Sequence, residues 1–430
     1  MTEKTDPLDY DPLSPEVKPH VEDHFKELRK RCPVHHHAFS EDQIARVNNP
    51  YVSGRATEMY SLLKYRDVEE CLQHPDLFLN IEGSGPERMR PPSGDGTLTW
   101  SDGEAHSRSR KIAQPALSPK VVNPLAPMLQ QRIDDLIDGF APRGEADIME
   151  AFSVPLTSGM LAYLLGLPTE QSEELQRWAY AILGTWGGDD EAVQRGGQAM
   201  QQIGEFVAAI GPERIAATER GEQLNDALTM LLTTPDEKGD TFTFEKVADA
   251  LTQFIAGGFE SSATAISNGV CLLCAHPQER RKLEQNPQLI GTAVEEVLRY
   301  MAPIEGLFRT PASDTTIGGV ELRKGTKIRA VFASANMDEE VFSAPRTFKI
   351  DRDRSELQKH MTFGKGVHSC LGNALARQEL KLAFTTLFRR LPTLELDPRK
   401  EPRRNSLMII HGYDSVPVRW DPDSVLPRQA

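Results

Sequence analysis

The chain has 430 residues, of which 39% are hydrophobic and 26% charged, and a formal net charge of -14. That composition suits a large globular core, excludes disorder throughout and disfavours a nucleic-acid binder. Five cysteines, Cys32, Cys71, Cys271, Cys274 and Cys370, are too few and too scattered for a secreted disulfide framework.

Residues 1–50 read as an irregular lead-in with a short helix near His20 to Arg31. The opening MTEKTDPLDYDPLSPEVKPHVEDHF is acidic, carries prolines and has no apolar run. Neither a signal peptide nor a membrane anchor is expected, and no other stretch approaches ~20 apolar residues. The expectation is a soluble protein of a reducing cytoplasm. The HHH at 35–37 has the look of a metal clip, but three consecutive side chains cannot face one point, so a solvated loop is expected. Met59 to Leu63 is strand-like and Asp67 to His74 helical. GSGPERMRPPSGDGT (83–97) is rich in Gly and Pro and reads as a loop, of a length that is often functional. Helical patterns dominate from His106 to Arg299. Strand-like pieces follow near Thr315 to Val320 and Lys327 to Phe332, then loops, the helix after Cys370 and short strands. Without an internal repeat or a clear linker, residues 1–430 read as one domain, mostly α with a small β region.

Phe244 to Ala275 reads as one helix with Thr243 as N-cap and Glu245 in its first turn, spanning ~48 Å. Its middle, FIAGGFESSAT, holds Gly257 and Gly258, which cost ~1 kcal/mol each against alanine. Close helix packing is one reason to tolerate them. The other is that Phe254, Gly257, Gly258, Ser261 and Ala265 share one face, where two glycines and a hydroxyl leave a notch for a small molecule. Cys271 and Cys274 in the same helix read as core.

Phe363 to Gly372, FGKGVHSCLG, places Cys370 at the mouth of a helix. Unpaired N–H groups and the helix dipole stabilise a thiolate there, and Gly366 and Gly372 let the backbone come close to sulfur or to a flat ligand. Nucleophile, zinc ligand, haem ligand and inert buried thiol all remain open on these residues alone. For zinc, only His360 and His368 stand nearby.

The ordered pattern F-G-x-G-x-H-x-C-x-G resembles the cysteine-ligand loop of the cytochrome P450 monooxygenases. The resemblance implies the mostly α cytochrome P450 fold and haem b, with Cys370 as the axial thiolate of the iron. Phe363, Gly364 and Gly372 would line the loop beneath the ring. EEVLR (295–299) then supplies Glu296 and Arg299, and PRTFKIDR (345–352) supplies Arg352, as a buried triad that holds this loop. WSDGEAHSRSR (100–110) supplies His106 and Arg110 as haem-propionate contacts, joined by Arg309, His368 and His360. Gly257 to Ser261 matches the family's Ala/Gly-Gly-x-Asp/Glu-Thr, in which the notch receives dioxygen while Glu260 and Ser261 deliver protons to it. Serine in place of the usual threonine keeps the hydroxyl and loses the methyl that narrows its rotamers; Ser262 stands beside it as a substitute. A second departure, ANMDEEVF (335–342), reads as surface variation.

The implied activity is insertion of one oxygen atom from dioxygen into a small organic substrate, by hydroxylation or oxidative demethylation. Electrons would come singly from a ferredoxin or flavodoxin with its reductase, docked beneath Cys370 on a basic patch of Arg108, Lys111, Lys365 and Arg377. A peroxide-driven peroxygenase and a non-enzymatic haem-thiolate sensor are the alternatives, and the Glu260–Ser261 pair argues against both. The 83–99 loop, Leu183 to Trp186, Phe254, Ile304 to Leu307 and Met408 to His411 are the expected pocket lining. Arg88, Arg90, Glu305 and His411 are its candidate polar contacts, which suits a modest organic molecule with one polar end.

Overall fold

The computed structural model describes residues 10–12, 14–39, 52–55, 57–82, 87–89, 96–186 and 190–429. Helices dominate. Those that build the site are α1 (Gly103–Ala113), α2 (Ser172–Leu183), α3 (Phe244–Ala275), α4 (Ile290–Tyr300) and α5 (Asn373–Arg390). The largest sheet joins β1 (Val34–Ala38), β2 (Glu58–Leu62), β3 (Phe78–Leu79), β4 (Leu307–Pro311) and β5 (Lys327–Ala330) in the order β1-β2-β5-β4-β3. All neighbours are antiparallel except the parallel pair β2–β5. Among the described residues no helix is long and apolar enough to cross a membrane.

The long helix forms where its caps place it. Thr243 accepts a hydrogen bond from the Lys246 amide at 3.4 Å, and Glu245 lies in the first turn. The helix becomes almost wholly buried from Phe259 onward, where it crosses α5. Gly269 makes that crossing possible: a Cβ there would lie 2.0 Å from the Phe384 ring. Around Phe384, Leu380, Ala383 and Leu387 of α5 are fully buried, so no neighbour could yield to a side chain at Gly269.

Several expectations change. The HHH lies on strand β1, not in a loop, because VHHHA pairs residue for residue with EMYSL of β2. The three histidines take three partners: His35 the Tyr10 carbonyl, His36 Glu58 and His37 Asp11. Within the 83–97 segment, Glu87–Met89 forms a short strand against Val52–Arg55; Arg90 and the side chain of Arg88 lie outside the described residues. Phe332 opens a one-turn helix, Phe332–Ala335, and does not extend β5. Residues 335–342 are not surface variation. Ala335, Asn336, Met337, Asp338 and Phe342 are buried, and Asp338 accepts the Tyr65 amide at 2.8 Å. Cys271 is core, and Cys274 lies 3.8 Å from the Leu394 carbonyl.

Candidate active site

Gly257 and Gly258 are exposed, and nothing lies within 4 Å of the Cβ position of either. Close packing therefore explains Gly269 and not this pair. One turn on, the Ser261 hydroxyl donates to the Gly257 carbonyl at 2.5 Å, the back-bond that serine adopts inside a helix. Glu260 turns the other way and is buried. Its Oε1 lies 3.4 Å from both Thr264 Oγ1 and Asn405 Nδ2, and its Oε2 has no hydrogen-bond partner. Burial, with the Asp414 charge adding to it, pushes the Glu260 carboxyl up to about 7. Ser262 also faces away from the notch, toward the buried Glu379, whose carboxyl burial raises to about 7.

The Cys370 loop is a closed turn. The Cys370 amide donates to the Phe363 carbonyl and the Gly364 amide to the Met361 carbonyl, each at 2.8 Å. Gly364 and Gly366 adopt φ of +66° and +70°, a region that disfavours side chains. At Gly366 a Cβ would also meet the Leu72 carbonyl at 2.7 Å. Cys370 is exposed at the cavity, yet desolvation by the protein packed around its sulfur pushes the thiol up. The Gly372 and Asn373 amides, Arg110 and Arg377 pull it back without cancelling the shift. The helix mouth thus acts as expected on the thiol, but desolvation wins in the protein alone.

The loop is anchored through α4. Arg299 clamps Glu296 with two hydrogen bonds of 2.7 and 2.9 Å, and Arg352 adds a third at 3.0 Å. Arg299 also donates to the Asn336 carbonyl at 2.9 Å. The Asn336 side chain in turn accepts the Met361 amide at 2.6 Å and donates to Thr362 Oγ1 at 3.0 Å. A continuous set of buried bonds therefore runs from Glu296 to the residue preceding Phe363.

On the other side stand cations and imidazoles. The His106 and His368 rings are 3.9 Å apart, and burial, His368 and Arg110 depress His106 to about 4. His368 Nε2 comes within 3.4 Å of Asp102 yet has no hydrogen-bond partner. Asp102 is held below the usual carboxylate range because His368 and the Asn80 and Ile81 amides outweigh its burial. Arg309 is buried, donates only to the Phe308 carbonyl, and has no carboxylate within ion-pair distance among the described residues. Arg110 reaches Ser369 at 3.3 Å. A thiol, two arginines with no ion-paired carboxylate among the described residues, Arg110 and Arg309, and a Cβ-free wall fit a haem with its two propionates.

The sequence profile of the cytochrome P450 family matches residues 189–411. The chain is 33% identical to the biotin biosynthesis cytochrome P450 of Bacillus subtilis, over 74% of this chain and 78% of that one. The chain belongs to the cytochrome P450 family. The steroid C26-monooxygenase of Mycolicibacterium smegmatis is 31% identical, over 88% and 92% of the two chains. Among solved structures, the myxobacterial cytochrome P450 CYP267B1 in complex with myristic acid has a TM-score of 0.81 at 28% identity, covering 95% of this chain and 98% of that one. This cytochrome P450 is accordingly a haem-thiolate oxidoreductase, a monooxygenase by family.

Other expected site residues sit elsewhere in this cytochrome P450. His360 lies 2.9 Å from Glu295, which also binds Arg377, on the wall of a cavity of about 580 Å³ that Phe363 and Cys370 line too. The expected basic patch is neutralised: Arg108 pairs with Asp236, Lys111 with Glu237, Lys365 with Glu69 and Arg377 with Glu295. Arg354 and Lys381 line the same cavity with no carboxylate within ion-pair distance among the described residues.

The residues expected to line the substrate pocket fall in more than one place. Leu183, Phe308, Met408, Ile409 and Ile410 form one buried apolar cluster, with Trp186, Ile304 and Ala256 packed against it. Phe254 belongs to a different cluster. Glu305 and His411 are not substrate contacts: Glu305 pairs with Lys18 and Arg329, and His411 lies 3.0 Å from Glu22. Sequence reasoning missed Asn405 and Thr264 beside Glu260. Thr264 was visible as the residue one turn after it; nothing local announces Asn405.

Proposed function

We propose that this cytochrome P450 hydroxylates or oxidatively demethylates a modest, mainly apolar organic molecule, using haem b and electrons from a ferredoxin or flavodoxin. The observation that carries the reading is the notch, two exposed glycines with free space at both Cβ positions and Ser261 one turn on. When bound, the haem would supply dioxygen activation. Cys370 would hold the iron, and His106, Arg110, Arg309 and His368 would hold the propionates. The Ser261 hydroxyl spends its proton on the Gly257 carbonyl, which leaves its lone pairs free to accept a hydrogen bond at the notch. Glu260, with a carboxyl near neutrality, can both release and regain a proton at Oε2 under ordinary conditions.

Turned from its buried position toward the notch, that carboxyl would supply protons there, which neither a peroxide-driven reaction nor a sensor needs. The apolar cluster of Leu183, Phe308 and Met408 to Ile410 excludes water from the substrate side. The relatives named for a steroid and solved with myristic acid support an apolar substrate class. The electron donor docks on the cavity rim at Arg354 and Lys381. Turnover with reduced ferredoxin and air, against turnover with hydrogen peroxide alone, tests the reading; product formed equally well from peroxide refutes it. S261A should consume reductant without matching product and release peroxide, and S261T should restore coupling.

A further inference from the structure

We propose that Lys18, in the lead-in far from the notch in sequence, is the positioning residue for the substrate-facing loop Leu407 to His411. The proposal rests on the reading that this loop walls the substrate pocket. Lys18 lies in the short 3-10 helix Pro15–His20 and is buried. Its ammonium has three N–H donors, and each has an acceptor: Glu305 Oε2 at 2.7 Å, the Met408 carbonyl at 2.7 Å and the Ile410 carbonyl at 3.2 Å. Two of the three thus fix the backbone on either side of Ile409. Those are the residues whose side chains form the apolar wall beside Ala256 of α3.

At its His411 end the loop has other side-chain ties, the Asn268 amide donating to the His411 carbonyl at 3.0 Å and the His411 ring 3.0 Å from Glu22; between Met408 and Ile410 the side-chain donors to its carbonyls are Lys18 and Arg329. Between Arg404 and Tyr413 its backbone is tied to the rest of the chain by an isolated bridge between Ile304 and Ile410 and by a few single bonds. These include the Glu305 amide to the Ile409 carbonyl at 2.7 Å and the His411 amide to the Pro303 carbonyl at 2.8 Å. Arg329 supports the same group, donating to Glu305 Oε1 at 2.7 Å, the Met408 carbonyl at 3.0 Å and the Tyr10 hydroxyl at 3.1 Å. A residue that only fastened the lead-in to the sheet would need Glu305 alone. Lys18 spends most of its donors on the loop backbone, whereas Tyr10, on the same lead-in, touches Arg329 and Glu305 but no loop carbonyl.

The test compares K18Q and Y10F in the haem-loaded protein, with imidazole and 4-phenylimidazole as probes read by the Soret shift. Imidazole reports the iron; the phenyl group reports the wall. K18Q should weaken 4-phenylimidazole relative to imidazole by about tenfold, the scale of one or two hydrogen bonds, and Y10F should leave the ratio unchanged. In haem-free protein, amide hydrogen exchange over residues 405–412 should speed up in K18Q and not in Y10F. Equal weakening of both azoles by K18Q, or an equal change of the ratio by Y10F, overturns the proposal and leaves the lead-in as a general fastening. Absence of any Soret shift in the unmodified protein overturns the haem-site reading and the proposal with it. If K18Q does not fold, K18R keeps a cation beside Glu305 while displacing the loop donors, and the same ratio decides.

Discussion

Replacing Glu260 by glutamine should shift stability relative to the parent progressively in the variant's favour as pH rises. Folding raises this carboxyl from 4.5 to about 7, so the native state holds the proton more tightly than the unfolded chain does. The native state therefore loses stability as pH climbs from the unfolded value through the folded one, and the loss levels off above about 7. At about 1.4 kcal/mol per unit, the full effect is about 3 kcal/mol, and about 2–3 kcal/mol of it develops between about pH 5 and about pH 8.5. Glutamine cannot ionise and keeps Oε1 for Thr264 and Asn405. Its amide falls where Oε2 has no partner, at a cost of about 1–3 kcal/mol that does not depend on pH. Comparing the two proteins across pH removes that cost. It also removes Glu379, which titrates near 7 in both. Urea unfolding followed by far-ultraviolet circular dichroism measures the difference. Parallel stability profiles for parent and E260Q would refute a desolvated, near-neutral Glu260.

Filling the notch gives a second test. G258V should not lower the unfolding midpoint, because nothing lies within 4 Å of the new Cβ, and it should weaken carbon monoxide binding to the reduced protein by about tenfold or more. Unchanged binding would remove the notch from the mechanism. R299M leaves Glu296 buried with one cation fewer and should cost about 3–5 kcal/mol, a large part of a typical domain's stability. Weaker haem retention should accompany the loss, and retention equal to the parent's would cut the link from Glu296 to the Cys370 loop. The double charge reversal R354E/K381E should raise the reductant concentration needed for half-maximal turnover far more than K111E, whose lysine is already paired with Glu237; the opposite order would restore the sequence-derived patch.

What was legible in the chain was local. The caps of the long helix, the glycine pair, the Glu296–Arg299 spacing and the Cys370 turn are patterns within a few residues, and the local geometry of each was readable from them. What was illegible depends on distant partners. Glu305 looked like a polar pocket residue because its partner Lys18 is 287 positions away. Asn405 reaches Glu260 across 145 positions. Residues 335–342 looked like surface variation because the segments flanking them keep the family pattern, yet Asp338 is consumed by the Tyr65 amide. The docking patch failed for a reason composition already held. With 63 acidic against 49 basic side chains, most cations near an acidic loop find a carboxylate. A free basic rim had to be sought where Arg354 and Lys381 have none among the described residues.

The middle of α3 breaks three local rules within about one turn: adjacent glycines, a serine bonded back to the helix and a buried carboxyl with an unpartnered oxygen. Each is unfavourable on its own. Their coincidence in a helix otherwise well capped and, below Phe259, tightly packed is the pattern expected where function overrides foldability. The helix tolerates them because its C-terminal half is anchored independently by the Gly269–Phe384 crossing and by the apolar residues around it. G258V, which fills an open position, is thus expected to hold stability, and E260Q to gain on the parent only as pH rises, while both impair the reaction. Substitutions at Gly269 are expected to do the reverse first, opening the crossing before any effect at the notch. That opposition separates residues kept for chemistry from residues kept for packing within a single helix.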